Sequence, residues 1–245
     1  MATTHPTEPD TAEPATEPEP WKRRPETRRP RQSQRPRQTL VWLHVLTSVG
    51  WMAQALALLT LLAVGFASAD QDVRIAATSM AHVLDTSLLA PLANASAFTG
   101  FLLSATTAWG FFRHWWVVAK FVLTIAALNV GIFVLSANLN DAAADAEAGA
   151  VVANPALLVG SALMAASIAF QAWLSVAKPW KRTPWSADRK PPTASNVVFG
   201  AAIAAPLVDI ALSVAVGFPA PAAEIVVLIV VLTTRTRRLA TARRT

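Results

Sequence analysis

The chain has 245 residues, of which 53% are hydrophobic and 15% charged, and it contains no cysteine. A soluble domain carries roughly a quarter charged residues, so an ordinary water-soluble fold is disfavoured; disulfides, zinc thiolates and cysteine nucleophiles are excluded. The net charge of +6 would suit a nucleic-acid partner, but the basic residues are distributed for another purpose.

Residues 1–38 hold eight of the seventeen prolines and no apolar run. Glu8, Asp10, Glu13, Glu17 and Glu19 come first, followed by a basic stretch from Lys22 to Arg37. With so little to bury, this composition predicts a disordered tail. The apolar segment at about 39–67 is too long for a signal-peptide core and reads as a retained first span. Further apolar segments lie at about 75–108, 115–137, 156–177, 196–217 and 220–235. A bilayer core of ~30 Å needs about 20 helical residues. The runs are continuous rather than alternating, which argues against a barrel. The sequence therefore predicts an all-α polytopic membrane bundle of about six helices. A four-span core would cover 39–187, a helical hairpin 188–237, and a basic tail 238–245. The second segment exceeds one crossing, and Pro91 predicts a bend within it.

Placing the N-terminal tail inside puts 19 of the 21 lysines and arginines on the cytoplasmic side. Arg74 falls outside and Lys120 within a span. This matches the positive-inside rule and predicts a bacterial inner-membrane protein with both termini cytoplasmic. The partners expected are the bilayer and anionic lipid headgroups, at ~1 kcal/mol per basic residue near the surface. No nucleic acid is expected, and a homo-oligomer is compatible with the sequence.

Ionisable residues inside spans are costly and mark candidate sites. Here they are His44, His82, Asp85, Lys120 and Asp209, with Glu224 nearer a helix end. On the first span His44, Ser48 and Trp51 recur at helical spacing. On the second, Thr78, His82 and Asp85 share a face, and a carboxylate one turn from an imidazole can orient it as in a metal second shell. Met80 beside His82 adds a thioether suited to Cu(I), so His44 and His82 are the metal-ligand candidates. Lys120 follows "WGFFRHWW" (109–116), an interfacial tryptophan belt, and can either snorkel or face the bundle and hold an anion. Asp209, near the middle of the fifth span, lies too deep to snorkel; His82 is its best partner by depth. No soluble-enzyme motif is present.

The stretches "LHVLTSVGW" (43–51), "PLANASAFTGFLLSATTAWGFFRHWWVVAKFVLT" (91–124) and "LSVAKPWKRTPW" (174–185) together resemble a group of bacterial, chiefly actinobacterial, membrane proteins, the domain of unknown function 2269. More distantly the pattern is similar to CopD-type copper-resistance proteins and HemJ-type protoporphyrinogen oxidases. Both open with a histidine followed seven residues on by a tryptophan, matched by His44 and Trp51. The HemJ type also has a tryptophan four residues before a lysine, matched by Trp116 and Lys120. That resemblance implies haem or porphyrin handling, with an imidazole on iron and an ammonium on a propionate. It departs in having no histidine after His114.

The expectation is thus a multi-pass membrane protein of unassigned activity and unknown cofactor, haem being the candidate. A polar pocket of His44, Trp51 and Lys120 is expected on the cytoplasmic side. The alternatives are a structural or partner-binding bundle without a cofactor, copper handling, and proton-coupled transport through Asp209. Catalysis, if any, would be a HemJ-like oxidation, and no catalytic residue is assigned.

Overall fold

The computed structural model describes residues 35–107, 110–149, 154–184, 186, 195–216 and 220–244. The tail expected over 1–38 therefore lies outside the described residues up to position 34, and its last four residues already belong to the first helix. The described residues contain no strand. They form six helices: α1 (Arg35–Ala67), α2 (Gln71–Thr106), α3 (Trp115–Glu147), α4 (Pro155–Ala177), α5 (Asn196–Val216) and α6 (Ala222–Arg244). The first five are long and apolar enough to cross a membrane. In α6 the apolar stretch is confined to its first half, between Glu224 and Arg235.

Local chemistry sets the boundaries. Asp70 caps α2, its carboxylate accepting from the Asp72 N–H at 2.9 Å. Asn154 caps α4 in the same way through the Ala156 N–H at 3.0 Å, with Pro155 in the first helical position. The acidic, alanine-rich stretch 140–147, beyond the apolar segment at about 115–137, continues α3. Alanine is the strongest helix former, and nothing stops the helix until Gly149, which adopts φ +76. Pro91 does not break the second segment. Residues Asp85–Leu89 widen into a π-turn just before it, and the Ala90 N–H reaches back to the Asp85 carbonyl. The π-turn re-pairs the backbone around a residue that has no N–H of its own, so one continuous helix runs from 71 to 106.

Helices α1 to α4 form an antiparallel bundle, and the α5–α6 hairpin packs against α1 and the C-terminal half of α2. The buried surface of α2 is small-sided: Ala93, Ala95, Ser96, Ala97 and Thr99 are all buried, which lets neighbouring backbones approach closely. Apolar clusters fill the two interfaces. Trp51, Ala55, Ala127, Met164 and Ile168 pack in the bundle centre. Leu40, Phe98, Leu102, Phe199 and Val231 join the hairpin to α1 and α2. Charge separates along the bundle axis. The end formed by the start of α1, the end of α2 and the start of α3 carries Arg35, Arg37, Arg113, Lys181, Arg182 and Arg235. The opposite end carries Asp70, Asp72, Asp141, Asp145 and Glu147, with Arg74 as a cation among them.

Candidate functional site

At the basic end the segments 110–114 and 180–183 dock on one another. The Thr183 N–H donates to the Arg113 carbonyl at 3.1 Å, the Thr183 hydroxyl donates to the Phe112 carbonyl, and His114 bridges to Arg182. The arginine-histidine turn before α3 and the lysine-rich turn after α4 are thus one structural unit. Just inside it, between α1, α2, α3 and α4, lies a cavity of about 480 Å³, within the ~300–1,000 Å³ range of small-molecule and cofactor pockets. His44, Trp51 and Lys120 all line it.

The imidazole of His44 is held by α2. Its Nδ1 lies 3.1 Å from the Ser96 carbonyl and 3.1 Å from the Thr99 hydroxyl. That hydroxyl is itself committed as a donor to the Ala95 carbonyl at 2.7 Å. A carbonyl only accepts, so Nδ1 carries the proton and the neutral ring keeps its lone pair on Nε2. Gly100 provides the room: a Cβ there would stand 3.0 Å from His44 Cε1. Ser48 and Ser96 share a 2.7 Å hydroxyl contact beside the ring.

Lys120 is held by α4. Its ammonium donates to the Ser175 hydroxyl at 2.6 Å, and Ser175 donates onward to the Gln171 carbonyl at 3.0 Å. No carboxylate pairs with Lys120 among the described residues. The lysine therefore does not snorkel freely; it is tied to α4 and lines the same cavity as His44. One turn deeper the Thr124 hydroxyl donates to Gln171 Oε1 at 2.7 Å, which leaves the amide nitrogen of Gln171 without a partner. The indole N–H of Trp51 is also unpartnered. Both side chains are deeply buried, at 7% and 4% exposure, and both line the cavity. An unmatched buried donor costs about 1–3 kcal/mol. Two of them line the same cavity as the Lys120 ammonium, so its wall holds unused donors.

The other expected residues do not join this site. His82 lies on α2 fourteen residues before Ser96, about 21 Å along the axis at 1.5 Å per residue, so His44 and His82 do not converge. Met80 points away from the bundle and is exposed. Among the described residues no three His, Cys, Asp or Glu side chains come together. Asp85 is buried at the start of the π-turn, facing Ser136 of α3 and interacting with His82. Asp209 has neither His82 nor Lys120 as a partner. Its two carboxylate oxygens accept from the backbone N–H groups of Ala223 and Glu224, each at 2.8 Å. It caps α6 from the neighbouring helix. Trp109 and Trp185 lie outside the described residues.

Sequence reasoning missed Ser96, Thr99, Thr124, Gln171 and Ser175, which hold or extend the site. They are neutral, so no charge flagged them. The one signal available was Gln171, an amide in the middle of an apolar span. Comparison with protein-family models, with characterised proteins and with solved structures finds no match.

Proposed function

We propose that the four-helix core binds an amphipathic, acid-bearing cofactor of the haem or porphyrin class. One observation carries this reading: an imidazole with Nδ1 committed to backbone, and an ammonium that pairs with no carboxylate among the described residues, line the same apolar cavity. A histidine whose Nδ1–H is tied to a carbonyl offers Nε2 as a metal ligand in a fixed orientation. An ammonium held at the cavity wall suits a propionate, as do Gln171, Trp51 and, at the mouth, Arg37. When bound, a haem would supply an iron centre able to change oxidation state. The chain's own residues orient it, neutralise its acid groups and exclude water. The resemblance of His44, Trp51, Trp116 and Lys120 to the HemJ-type pattern points the same way.

The basic end is read as cytoplasmic, since lysine and arginine are retained on that side, and the membrane as a bacterial inner membrane. On that reading α6 returns the C-terminus to the cytoplasm as a sixth, short crossing. The copper reading is not supported, because His44 and His82 are far apart and Met80 faces outward. Transport through Asp209 is not supported either, because its carboxylate is occupied by the α6 backbone.

Purified protein in detergent, supplied with haemin, tests the proposal through its visible spectrum. A Soret band that disappears in His44→Ala, with affinity falling about tenfold in Lys120→Met (~1.4 kcal/mol), is the expected result. Protein that takes up no haemin, or whose band is unchanged in His44→Ala, overturns it.

A further inference from the structure

The four seams around the cavity are not alike. Between α1 and α2 the wall is latched by His44 on Ser96 and Thr99 and by Ser48 on Ser96. Between α3 and α4 it is latched by Lys120 on Ser175 and Thr124 on Gln171. Between α2 and α3 it is closed by aromatic rings: Phe101 and Phe121 lie 5.2 Å apart, and Phe111 meets Phe121 edge-on at 5.6 Å. Across the fourth seam, between α1 and α4, no hydrogen bond runs among the described residues. Deep in the bundle it is filled by Trp51, Ala55, Met164, Ala165 and Ile168. Nearer the basic end the cavity is bounded on this side by Val45 and Val49 of α1 and Val176 of α4, which are 54%, 55% and 85% exposed. A residue that is both cavity lining and outer surface marks an opening.

This opening faces sideways. Both flanking helices are of membrane-crossing length and composition, and the valines at the rim are the side chains hydrocarbon would wet. Lys120 lies five residues inside the start of α3, about 7.5 Å along the axis. That is near the level at which the acid group of a lipid-dissolved amphiphile rests below the headgroups.

We infer that the slot between α1 and α4 admits membrane-dissolved amphipathic acids sideways from the lipid, acid group first towards Lys120, rather than from water along the bundle axis. The inference rests on reading the cavity as a ligand site and adds the route and the physical class of what reaches it. The apolar body of such a ligand never leaves hydrocarbon, so only its acid group changes environment. There it exchanges interfacial water for the ammonium and for the unpartnered donors of Gln171 and Trp51.

The test uses the full chain in phosphatidylcholine vesicles containing palmitic acid with a photoactivatable diazirine on its chain. After illumination, labelled peptides are identified by mass spectrometry. Cavity peptides bearing Ser48 and Lys120 should be labelled along with outer-surface peptides such as that bearing Leu163. The double variant Val45→Phe/Val176→Phe, which narrows the slot with lipid-compatible side chains, should lose about tenfold of the cavity labelling and keep the surface labelling. The matching alcohol should label the cavity less than the acid, and Lys120→Met should abolish that difference. Surface labelling alone in the parent protein, or cavity labelling unchanged in the double variant, overturns the lateral route. Acid and alcohol labelling alike in the parent overturns the acid class. Cavity labelling in a protein that takes up no haemin leaves the route standing and removes the haem reading. Haemin uptake at an unchanged rate in the double variant does the reverse.

Discussion

The core cavity and the α5–α6 hairpin both place ionisable groups among apolar helices, and they treat them differently. In the hairpin two charges, Asp209 and Arg235, are spent on helix ends. Asp209 takes the two N–H groups at the start of α6, where the helix dipole is positive. Arg235 donates to the carbonyls of Ser104 and Ala105 at the end of α2, at 3.3 and 2.6 Å, where the dipole is negative. Backbone groups that a helix terminus always leaves over are thereby satisfied without water. In the core the pairing is incomplete. Lys120 meets a hydroxyl, and Trp51 and Gln171 each keep an unused N–H. A buried charge absorbed by a helix end stabilises the fold; one left with spare donors around a cavity costs stability and is available to a ligand.

If that contrast is sound, the two regions respond to mutation with opposite signs. The largest effect is expected at Asp209. Asp209→Ala strands one buried and one part-buried N–H group and removes the charge opposing the α6 dipole, a loss of about 2–4 kcal/mol. It should read as a lower unfolding midpoint in detergent and faster proteolysis of the hairpin, with haemin uptake by the core unchanged. Asp209→Asn, which keeps one acceptor oxygen, should lose roughly half as much. An unchanged midpoint in Asp209→Ala would remove the capping role.

Lys120→Met is next in size and opposite in direction. Replacing a half-buried ammonium, which pairs with no carboxylate among the described residues, by an apolar chain of similar length should leave the ligand-free protein as stable or raise its stability by about 1–3 kcal/mol. The same change weakens anion binding. A fall in the midpoint of ligand-free Lys120→Met would make the bond to Ser175 a structural prop and erase the contrast with Asp209.

How far this contrast was legible in the sequence follows from what each residue depends on. The meeting of His44, Trp51 and Lys120 was legible because helical spacing and the charge-marked helix ends fix depth, and residues at equal depth on adjacent helices are neighbours. The partner of Asp209 was not, because fourteen residues and a turn decide where the α6 N-terminus returns, and no periodicity encodes that. The full length of α3 was not legible from hydropathy, because acidic residues among alanines end the apolar run, although alanine favours helix. Pro91 was rightly read as a disturbance, but the sequence does not say whether a helix kinks or absorbs it in a π-turn. Gln171 and Thr124 escaped notice because neutral polar side chains disappear into an apolar average.

A smaller effect should come from Gly100→Ala. The added methyl would stand 3.0 Å from His44 Cε1, closer than carbon atoms ordinarily pack, so the ring must shift by a few tenths of an ångström or α2 must move. The cost is about 1 kcal/mol, hard to see in stability. Bound haemin should report it more clearly, through a displaced Soret maximum and faster dissociation. An unchanged spectrum would mean that the imidazole does not contact the ligand, and it would move the core site towards the merely structural behaviour of the hairpin.

The smallest expected change lies at the C-terminal end of α4. Lys178 closes α4 in the left-handed region, with φ 45 and ψ 53, and its N–H is bonded to the Leu174 carbonyl at 3.1 Å. Pro179 follows and cannot continue the helix. A side chain with a Cβ bears about 1 kcal/mol of strain in that conformation, which glycine avoids, although glycine also gains freedom in the unfolded chain. Lys178→Gly should therefore raise the midpoint slightly, by a few tenths to about 1 kcal/mol. The hairpin ends α6 with arginines instead, so a loss of stability here would mean that the Lys178 charge at the basic end outweighs the backbone strain. The core would then use charge at its helix ends just as the hairpin does, and only the cavity would still distinguish the two regions.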